Sequence, residues 1–260
     1  MAGRVQPGQN TLRRSAAAQI VRRAEVRSSD LILDIGAGTG ALTLELARRA
    51  RHVIAVEVDP RRAARLEERC RGYGNVRVLA CDALEMRFPS QPYRVIANPP
   101  FGMTSRLLRR LLDPRARAQR LDLVVGEGVA RLFASRYPGR RLPLGSAPWW
   151  TFGYGMRLPA AGFTPAPRSD AAVLIAGRRS PALLAPRETG AHAALVRLGL
   201  SRASMPLRRV LREDLTDRAW SRFAAQRRIA RDARARDLSG TDWAALTAVV
   251  LRSARRIERI

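Results

Sequence analysis

The chain has 260 residues, of which 46% are hydrophobic and 27% are charged, so it has room for one large domain or for one domain with a smaller appendage. Its net charge is +26, because 48 basic residues, all of them arginine, stand against 22 acidic ones. This composition excludes an intrinsically disordered acidic protein and a disulfide-rich secreted scaffold, since the chain has only two cysteines.

The excess of positive charge predicts the class of partner. Such a charge repels itself unless a polyanion is present, and guanidinium groups match phosphate oxygens, so we expect nucleic acid; a membrane surface is the lesser alternative. No apolar run approaches the length of a membrane span, and the two cysteines fit a reducing compartment. The sequence therefore predicts a cytoplasmic protein with no membrane association.

Apolar periodicity predicts alternating helices and strands along the first half of the chain. In chain order the predicted elements are a helix at 11–26, a strand at 31–35, a helix at 41–50, a strand at 53–57, a helix from Pro60, strands at 75–80 and 93–97, a helix at 104–112 and a strand at 121–125. Strands that alternate with helices at this spacing indicate an α/β fold with a parallel sheet wound on both faces.

The composition changes after the fifth strand. Residues 137–167 are rich in proline, glycine and aromatic residues, which predicts a loop and an antiparallel hairpin with its return strand at 171–176. The pattern beyond this point is helical and rich in arginine. We therefore predict a first domain at 1–177 and a small, all-helical domain at 178–260.

A glycine-rich turn follows the first strand and indicates a cofactor site. Gly36 and Gly38 would let the backbone approach a ligand beyond the carboxyl end of the sheet, and Glu57, at the end of the second strand, would hold ribose hydroxyls. Asp82 follows the third strand, where its carboxylate would accept a hydrogen bond from an adenine amine. Acids after both strands favour S-adenosylmethionine over NAD, although a helix cap remains the alternative for Asp82.

The fourth strand ends at Asn98-Pro99-Pro100-Phe101, because proline cannot donate to a sheet ladder. The Asn98 side-chain carbonyl and the Pro99 backbone carbonyl would accept both hydrogens of an adenine amine and orient it for methyl transfer. Phe101 would stack on that base, which must leave its own stack to enter such a pocket. The alternative is an ordinary turn that ends a strand.

This chemistry requires neither a metal ion nor a dedicated general base, because positioning and electrostatics can supply most of the rate. His52 and His192 are therefore interpreted as structural residues. Cys70 and Cys81 lack the spacing of metal ligands.

These motifs together resemble the Erm-type methyltransferases of large-subunit ribosomal RNA, which are related to the dimethyladenosine transferases of small-subunit RNA. The resemblance covers nearly the whole chain. It includes residues 9–12, which are similar to the family's amino-terminal Q-N-F-L element except for Thr11, the motifs at 34–40, 57, 82 and 98–101, the segment 163–174, and the carboxyl-terminal run 237–246.

The resemblance implies a Rossmann-like class I methyltransferase domain at 1–177 that carries catalysis and a helical domain at 178–260 that binds RNA. It implies catalytic roles for Asn98, Pro99 and Phe101. The cofactor contacts that it implies come from Gln9, Asn10, Leu12, Gly36, Gly38, Glu57, Asp82, Ala83 and Asn98.

The implied reaction is the methylation of an adenine N6 in the peptidyl-transferase region of 23S rRNA, with S-adenosylhomocysteine as product. Such a modification would give resistance to macrolide, lincosamide and streptogramin B antibiotics. We expect a monomer without an obligate protein partner. The alternatives are a small-subunit dimethyladenosine transferase, a DNA adenine methyltransferase, since N-P-P-F also occurs in those enzymes, and a nucleic-acid-binding protein without turnover.

Overall fold

The structure is a computed structural model that describes residues 10–257, with side chains up to residue 253. Its strands are β1 (Thr11–Leu12), β2 (Leu31–Ile35), β3 (His52–Glu57), β4 (Val76–Ala80), β5 (Tyr93–Ala97), β6 (Ala118–Gly126), β7 (Trp150–Leu158), β8 (Phe163–Thr164) and β9 (Ala171–Arg178). Its helices are α1 (Arg14–Arg23), α2 (Ala41–Ala47), α3 (Pro60–Cys70), α4 (Thr104–Leu111), α5 (Glu127–Ala134), α6 (Arg141–Ser146), α7 (Thr189–Ser201), α8 (Leu207–Val210), α9 (Asp217–Arg227) and α10 (Gly240–Ile257).

Seven strands form the central sheet in the order β4-β3-β2-β5-β6-β9-β7. The pairs β3–β4, β2–β3, β2–β5 and β5–β6 are parallel, and β6–β9 is antiparallel. The order reverses at β2, whose neighbours are β3 on one side and β5 on the other. In an open parallel sheet, ligands bind beyond the carboxyl ends of the strands at such a reversal.

Local sequence explains why the elements next to this crevice begin and end where they do. Strands β2 and β5 are nearly continuous apolar runs, as expected for parallel strands covered on both faces. Helix α3 begins after β3 because the Asp59 carboxylate accepts hydrogen bonds from the backbone N–H groups of Arg61 and Arg62, with Pro60 in the first turn. Asp59 is therefore the N-cap of α3.

The predicted helix at 11–26 is wrong at its start. Thr11 and Leu12 form strand β1, which pairs with β8 in a separate two-stranded sheet, and α1 begins only at Arg14. Local periodicity cannot reveal a pairing partner about 150 residues away. The pairing ties the segment before α1 to the chain after β7, beside the carboxyl edge of the central sheet.

The chain divides into two compact units, each made of two stretches of sequence. The first unit contains residues up to Phe133 together with Phe152–Gly177, and the second contains Ala134–Thr151 and the chain from Arg178 onward. Residues 134–151, which we predicted within the first domain, belong to the second unit together with the chain from residue 178. The physical reason is packing, because α6 contacts α7 and α10, and Leu144 is buried in their apolar core.

The core of the helical unit also explains its histidine. His192 is fully buried, where Nε2 donates to the carbonyl of Leu144 at 3.0 Å and Nδ1 lies 2.7 Å from the hydroxyl of Thr247. Burial lowers the pKa of this imidazole. The predicted structural role of His192 is confirmed.

Among the described residues, none of the helices combines the length and the apolar character that crossing a lipid bilayer would require.

Candidate active site

A cavity of about 210 Å³ lies beyond the carboxyl ends of β2, β3, β4 and β5. It contains every predicted site residue within the described part of the chain: Asn10, Leu12, Gly36, Gly38, Glu57, Asp82, Ala83, Asn98, Pro99 and Phe101. Gln9 lies outside the described residues. Residues from five separate stretches of sequence thus meet in one pocket, as a shared cofactor and substrate site requires.

Gly36 determines how closely the loop after β5 approaches the loop after β2. Its φ of +75° lies in the left-handed region, which glycine adopts without steric cost. A Cβ atom at this position would lie 3.2 Å from Cδ of Pro100 and 3.3 Å from Cα of Pro99. Only glycine therefore allows the two loops to lie in their observed contact.

Glu57 is oriented by backbone donors on both sides of its carboxylate. One oxygen accepts the N–H of Gly38 at 2.8 Å and the other accepts the N–H of Asp59 at 3.0 Å. The side chain is buried, and each carboxylate oxygen retains a further lone pair. This arrangement presents two fixed acceptors to a pair of vicinal hydroxyls.

Asp82 follows β4 and begins the loop that forms one wall of the pocket. Its Oδ1 accepts the N–H of Leu84 at 2.7 Å, so the capping role considered from the sequence is present. The side chain nevertheless lines the pocket, and the second carboxylate oxygen makes no hydrogen bond to the described residues. Capping and ligand binding are therefore compatible at this position.

Arg110 of α4 holds this loop in place. Its guanidinium group donates to the carbonyls of Ala83 and Met86, each at 2.6 Å, and lies 4.5 Å from the centre of the Phe88 ring. Helix α4 follows directly on the loop that carries Asn98. Arg110 therefore links the loop of Asp82 to the helix that follows the predicted catalytic loop.

The amide of Asn98 has a defined orientation. Its nitrogen donates to the backbone carbonyl of Asn10 at 2.8 Å, and because a carbonyl only accepts, the side-chain oxygen must occupy the other position. That oxygen makes no hydrogen bond to the described residues, while Asn98 lines the pocket. It is therefore available to accept a hydrogen bond from a ligand.

Phe101 stands at the start of a short 3₁₀ turn between the proline pair and α4. The residue is half-buried, so part of its ring is packed against the apolar core and part is open to the pocket. A ring fixed in this way provides a flat apolar surface for a planar ligand.

Asp34 lines the same pocket, although no separate role was predicted for it. Burial raises the pKa of this carboxyl to about 7; the hydroxyl of Thr43, which donates to it at 2.7 Å, opposes the shift, and the charge of Glu57 adds to it. An acid at the end of a buried strand was the available signal.

The raised pKa predicts a specific dependence of stability on pH. A carboxyl with a higher pKa in the folded state stabilises the fold below about pH 4, and this contribution is lost as the pH rises towards 7. Relative to Asp34→Asn, the wild-type free energy of unfolding should fall by about 2–4 kcal/mol between pH 4 and 7.5, as measured by urea denaturation. If the free energies of unfolding of the wild type and Asp34→Asn changed with pH in the same way, the raised pKa of Asp34 would be contradicted.

Two pocket arginines were also missed. Arg62 of α3 and Arg106 of α4 line the cavity, and Arg106 is exposed. No local pattern distinguishes them from the other arginines of the chain, since their placement depends on how α3 and α4 follow their strands. Both bring positive charge to the pocket.

Comparisons with known proteins show to which family the chain belongs. The family model for ribosomal RNA adenine dimethylase matches residues 2–250. The mycinamicin-resistance protein MyrB of Micromonospora griseorubida is 34% identical over 246 residues, which are 94% of this chain and 78% of that protein. A probable ribosomal RNA small subunit methyltransferase A of Methanosarcina acetivorans is 38% identical over 168 residues, 63% of this chain and 61% of the relative.

A solved structure extends the similarity to the fold. The 23S rRNA methyltransferase ErmE superposes with a TM-score of 0.83 at 27% identity, covering 93% of this chain and 99% of ErmE. The predicted Rossmann-like α/β fold with a helical carboxyl-terminal part is confirmed, and so is the predicted family. The chain belongs to the ribosomal RNA adenine dimethylase family of S-adenosylmethionine-dependent methyltransferases.

Proposed function

We propose that the protein methylates N6 of an adenine in the peptidyl-transferase region of 23S rRNA and thereby gives resistance to macrolide, lincosamide and streptogramin B antibiotics. The observation that carries the proposal is the 34% identity to a mycinamicin-resistance protein along 94% of the chain. The likeness to ErmE over 93% of the chain supports the same target. Acting on ribosomes, the protein would work in the cytoplasm, as a monomer.

The hydrogen-bond acceptors and the glycines of the pocket match the groups that S-adenosylmethionine would present. The Glu57 carboxylate would accept hydrogen bonds from the two ribose hydroxyls of the cofactor. The free oxygen of Asp82 would accept a hydrogen bond from its adenine amine, and Ala83 would lie next to that adenine. Gly36 and Gly38 leave room for the cofactor backbone, while Asn10, Leu12 and Gln9 would contact its methionine part. When bound, the cofactor supplies an electrophilic methyl group on a positively charged sulfur.

The residues after β5 would bind the target base. The free side-chain oxygen of Asn98 and the backbone carbonyl of Pro99 would accept the two N–H bonds of the adenine amine. This arrangement would favour a pyramidal nitrogen, whose lone pair is localised on the nitrogen instead of delocalised into the ring and points towards the methyl group. Phe101 would stack on the extruded base and offset part of the stacking energy lost from the RNA, about 1–3 kcal/mol per base.

We further propose that the helical unit binds RNA. Its sequence, residues 134–151 and 178–260, contains 22 arginines against eight acids. Only a few of these arginines have acidic partners among the described residues; the Arg227 pair with Asp242, at 2.7 Å, is the closest. The excess of arginines over acids in this sequence supplies positive charge that can neutralise phosphates.

A related function has its own support. The Methanosarcina relative, named for the small ribosomal subunit, shares 38% identity, but its match covers only 63% of this chain, whereas the MyrB match covers 94%. The longer match favours the large-subunit target. A protein without turnover is disfavoured, because the pocket retains all the acceptors that the reaction needs.

The resistance phenotype tests the proposal in cells. We expect expression of the chain in a susceptible bacterium to raise the inhibitory concentrations of a macrolide, a lincosamide and a streptogramin B, but not that of a drug acting on the small subunit. The Asn98→Ala variant, expressed at the same level, should give no protection. Unchanged inhibitory concentrations for all three classes would contradict the proposed target.

Arg110 provides a prediction about cofactor recognition. We expect Arg110→Ala to bind S-adenosylhomocysteine about tenfold more weakly, since the loop of Asp82 loses both hydrogen bonds that fix it. The preference for this ligand over S-inosylhomocysteine, which lacks the amine, should fall as well. Calorimetry on both ligands measures this change, with Arg115→Ala as control. A general loss of structure would weaken both ligands equally and leave the preference intact.

The charge predicts how RNA binding depends on salt. If arginine–phosphate contacts release counterions, the logarithm of the RNA affinity should fall linearly with the logarithm of salt concentration, with a slope of about −0.7 to −0.9 per contact. Fluorescence anisotropy with a labelled large-subunit fragment measures this slope. Affinity that does not change between 50 and 200 mM salt would exclude the arginines from substrate capture.

A further inference from the structure

A second cavity, of about 290 Å³, lies beside the cofactor pocket in the first unit. Leu12 and Ala41 line both cavities, so the two are direct neighbours. The second cavity differs in its charged lining, which consists of Arg14, Arg48, Arg69 and Glu45. We refer to it as the arginine pocket.

Glu45 pairs with two of the three arginines that line this pocket. Its side chain is only 9% exposed, and Oε1 lies 2.6 Å from Nη1 of Arg48 and 3.6 Å from Nε of Arg14. Arg49, outside the pocket, lies 3.5 Å from the other carboxylate oxygen. Although burial opposes it, the hydrogen bond and charge of Arg48, with help from Arg49 and Arg14, lower the pKa of Glu45. The Glu45 carboxylate is therefore ionised, and each of its oxygens is paired with at least one arginine.

The pocket retains two positive charges in excess, because three guanidinium groups face one carboxylate. The side chain of Arg14 is 79% exposed and that of Arg48 is 43% exposed. Arg69, also exposed, donates one N–H to the carbonyl of Thr39. Each guanidinium group has five N–H donors, so most of the donors in the pocket remain available.

These features fit a phosphate group. Guanidinium forks bind the oxygens of a phosphodiester through two parallel hydrogen bonds, and an anion in a concave site would gain from all three cations at once. The shared residues Leu12 and Ala41 bring this charge next to the cofactor pocket, where an RNA strand must deliver its target base. A carboxylate ligand would also complement the positive charge, but the proposed reaction brings no such ligand to this position.

We propose that the arginine pocket binds a backbone phosphate of the RNA substrate next to the target adenine. This inference rests on the proposed function. The pocket would fix the register of the strand without reading its sequence, as phosphate contacts generally do.

The test compares charge-removing variants inside and outside the pocket. Arg14→Gln, Arg69→Gln and the double variant remove pocket charges, and Arg14→Lys retains one charge without the planar fork. Arg115→Gln is the matched control, because it removes an equally exposed arginine just before β6, at the amino-terminal edge of the sheet. The readouts are RNA affinity by anisotropy at several salt concentrations and cofactor affinity by calorimetry.

We expect each pocket variant to weaken RNA binding about tenfold and to reduce the salt slope by about one, while cofactor affinity and melting temperature stay near those of the wild type. Arg14→Lys should retain part of the RNA affinity. RNA binding equal to that of Arg115→Gln would overturn the proposal.

A titration with inorganic phosphate distinguishes a backbone phosphate of RNA from a free phosphate ion as the ligand of the pocket. If the pocket variants lose phosphate binding but bind RNA like the control, the pocket takes a free anion and the proposal is wrong. The wild-type reaction separates this outcome from a failure of the proposed function. Methylation of RNA by the wild type with no effect of the pocket variants refutes only the arginine pocket, whereas no methylation of any RNA refutes the function.

Discussion

Replacing Asn98 with alanine is expected to reduce the turnover of methyl transfer at least about a hundredfold, while cofactor affinity stays within about tenfold of the wild type. The reason is the orientation of the amide, whose nitrogen is held by the carbonyl of Asn10 and whose oxygen is free. Its strongest interaction would therefore be made with the target amine during reaction, and interactions made only there affect turnover. Single-turnover kinetics with saturating cofactor measure this effect.

Asn75 provides the matched control for Asn98. Its amide nitrogen also donates to backbone carbonyls, those of Ala47 and Ala50, but it lies at the start of β4, and it does not line the cavity. Asn75→Ala should lower the melting temperature while the rate per folded molecule is retained. If Asn98→Ala weakened cofactor binding as much as it slowed the reaction, Asn98 would be a cofactor ligand and not a catalytic residue.

The second large effect is expected from Gly36→Ala. Alanine at a φ of +75° costs about 1–2 kcal/mol of backbone strain, and its Cβ would press on Pro99 and Pro100 of the proposed catalytic loop. Relief of this contact requires the loop to move by a few tenths of an ångström. Rates of this kind are sensitive to position, since a misplacement of about 1 Å costs roughly a hundredfold. We therefore expect a loss of turnover well beyond the loss of stability, as measured by activity assays and urea denaturation on the same preparation.

Gly139→Ala is the control that separates the effect of backbone strain from the effect of displacing the loop after β5. Gly139 also has a left-handed φ, +56°, but nothing lies within 4 Å of the position that a Cβ would occupy. This variant should lose similar stability and keep its turnover. Equal activities for the two variants would show that the contact of Gly36 with the proline pair does not position the catalytic loop.

The sequence predicted the parallel sheet because its signals are local. Buried strands such as β2 and β5 are continuous apolar runs, and glycine, acid and proline residues mark the ends of the strands. Since the carboxyl ends of parallel strands share one edge, residues predicted separately, such as Glu57 and Asp82, were expected to meet, and the structure places both in one pocket.

The features that the sequence did not reveal depend on contacts between distant segments. Strand β1 exists only because β8 lies beside it, and α6 joins the helical unit only because its apolar side packs on α7 and α10. The arginine pocket has the same origin, since Arg14, Arg48 and Arg69 are distant in sequence but line one cavity. Composition predicted a nucleic-acid partner but could not show which arginines would contact it.

The most direct test of the central claim identifies the methylated nucleoside. The purified protein would be incubated with S-adenosylmethionine carrying a labelled methyl group and, separately, with unmodified large-subunit RNA, small-subunit RNA and duplex DNA, followed by digestion and mass spectrometry. We predict N6-methylated adenosine in the large-subunit RNA alone, and its loss with Asn98→Ala. Label in small-subunit RNA or DNA instead, or label in none of the three, would contradict the account.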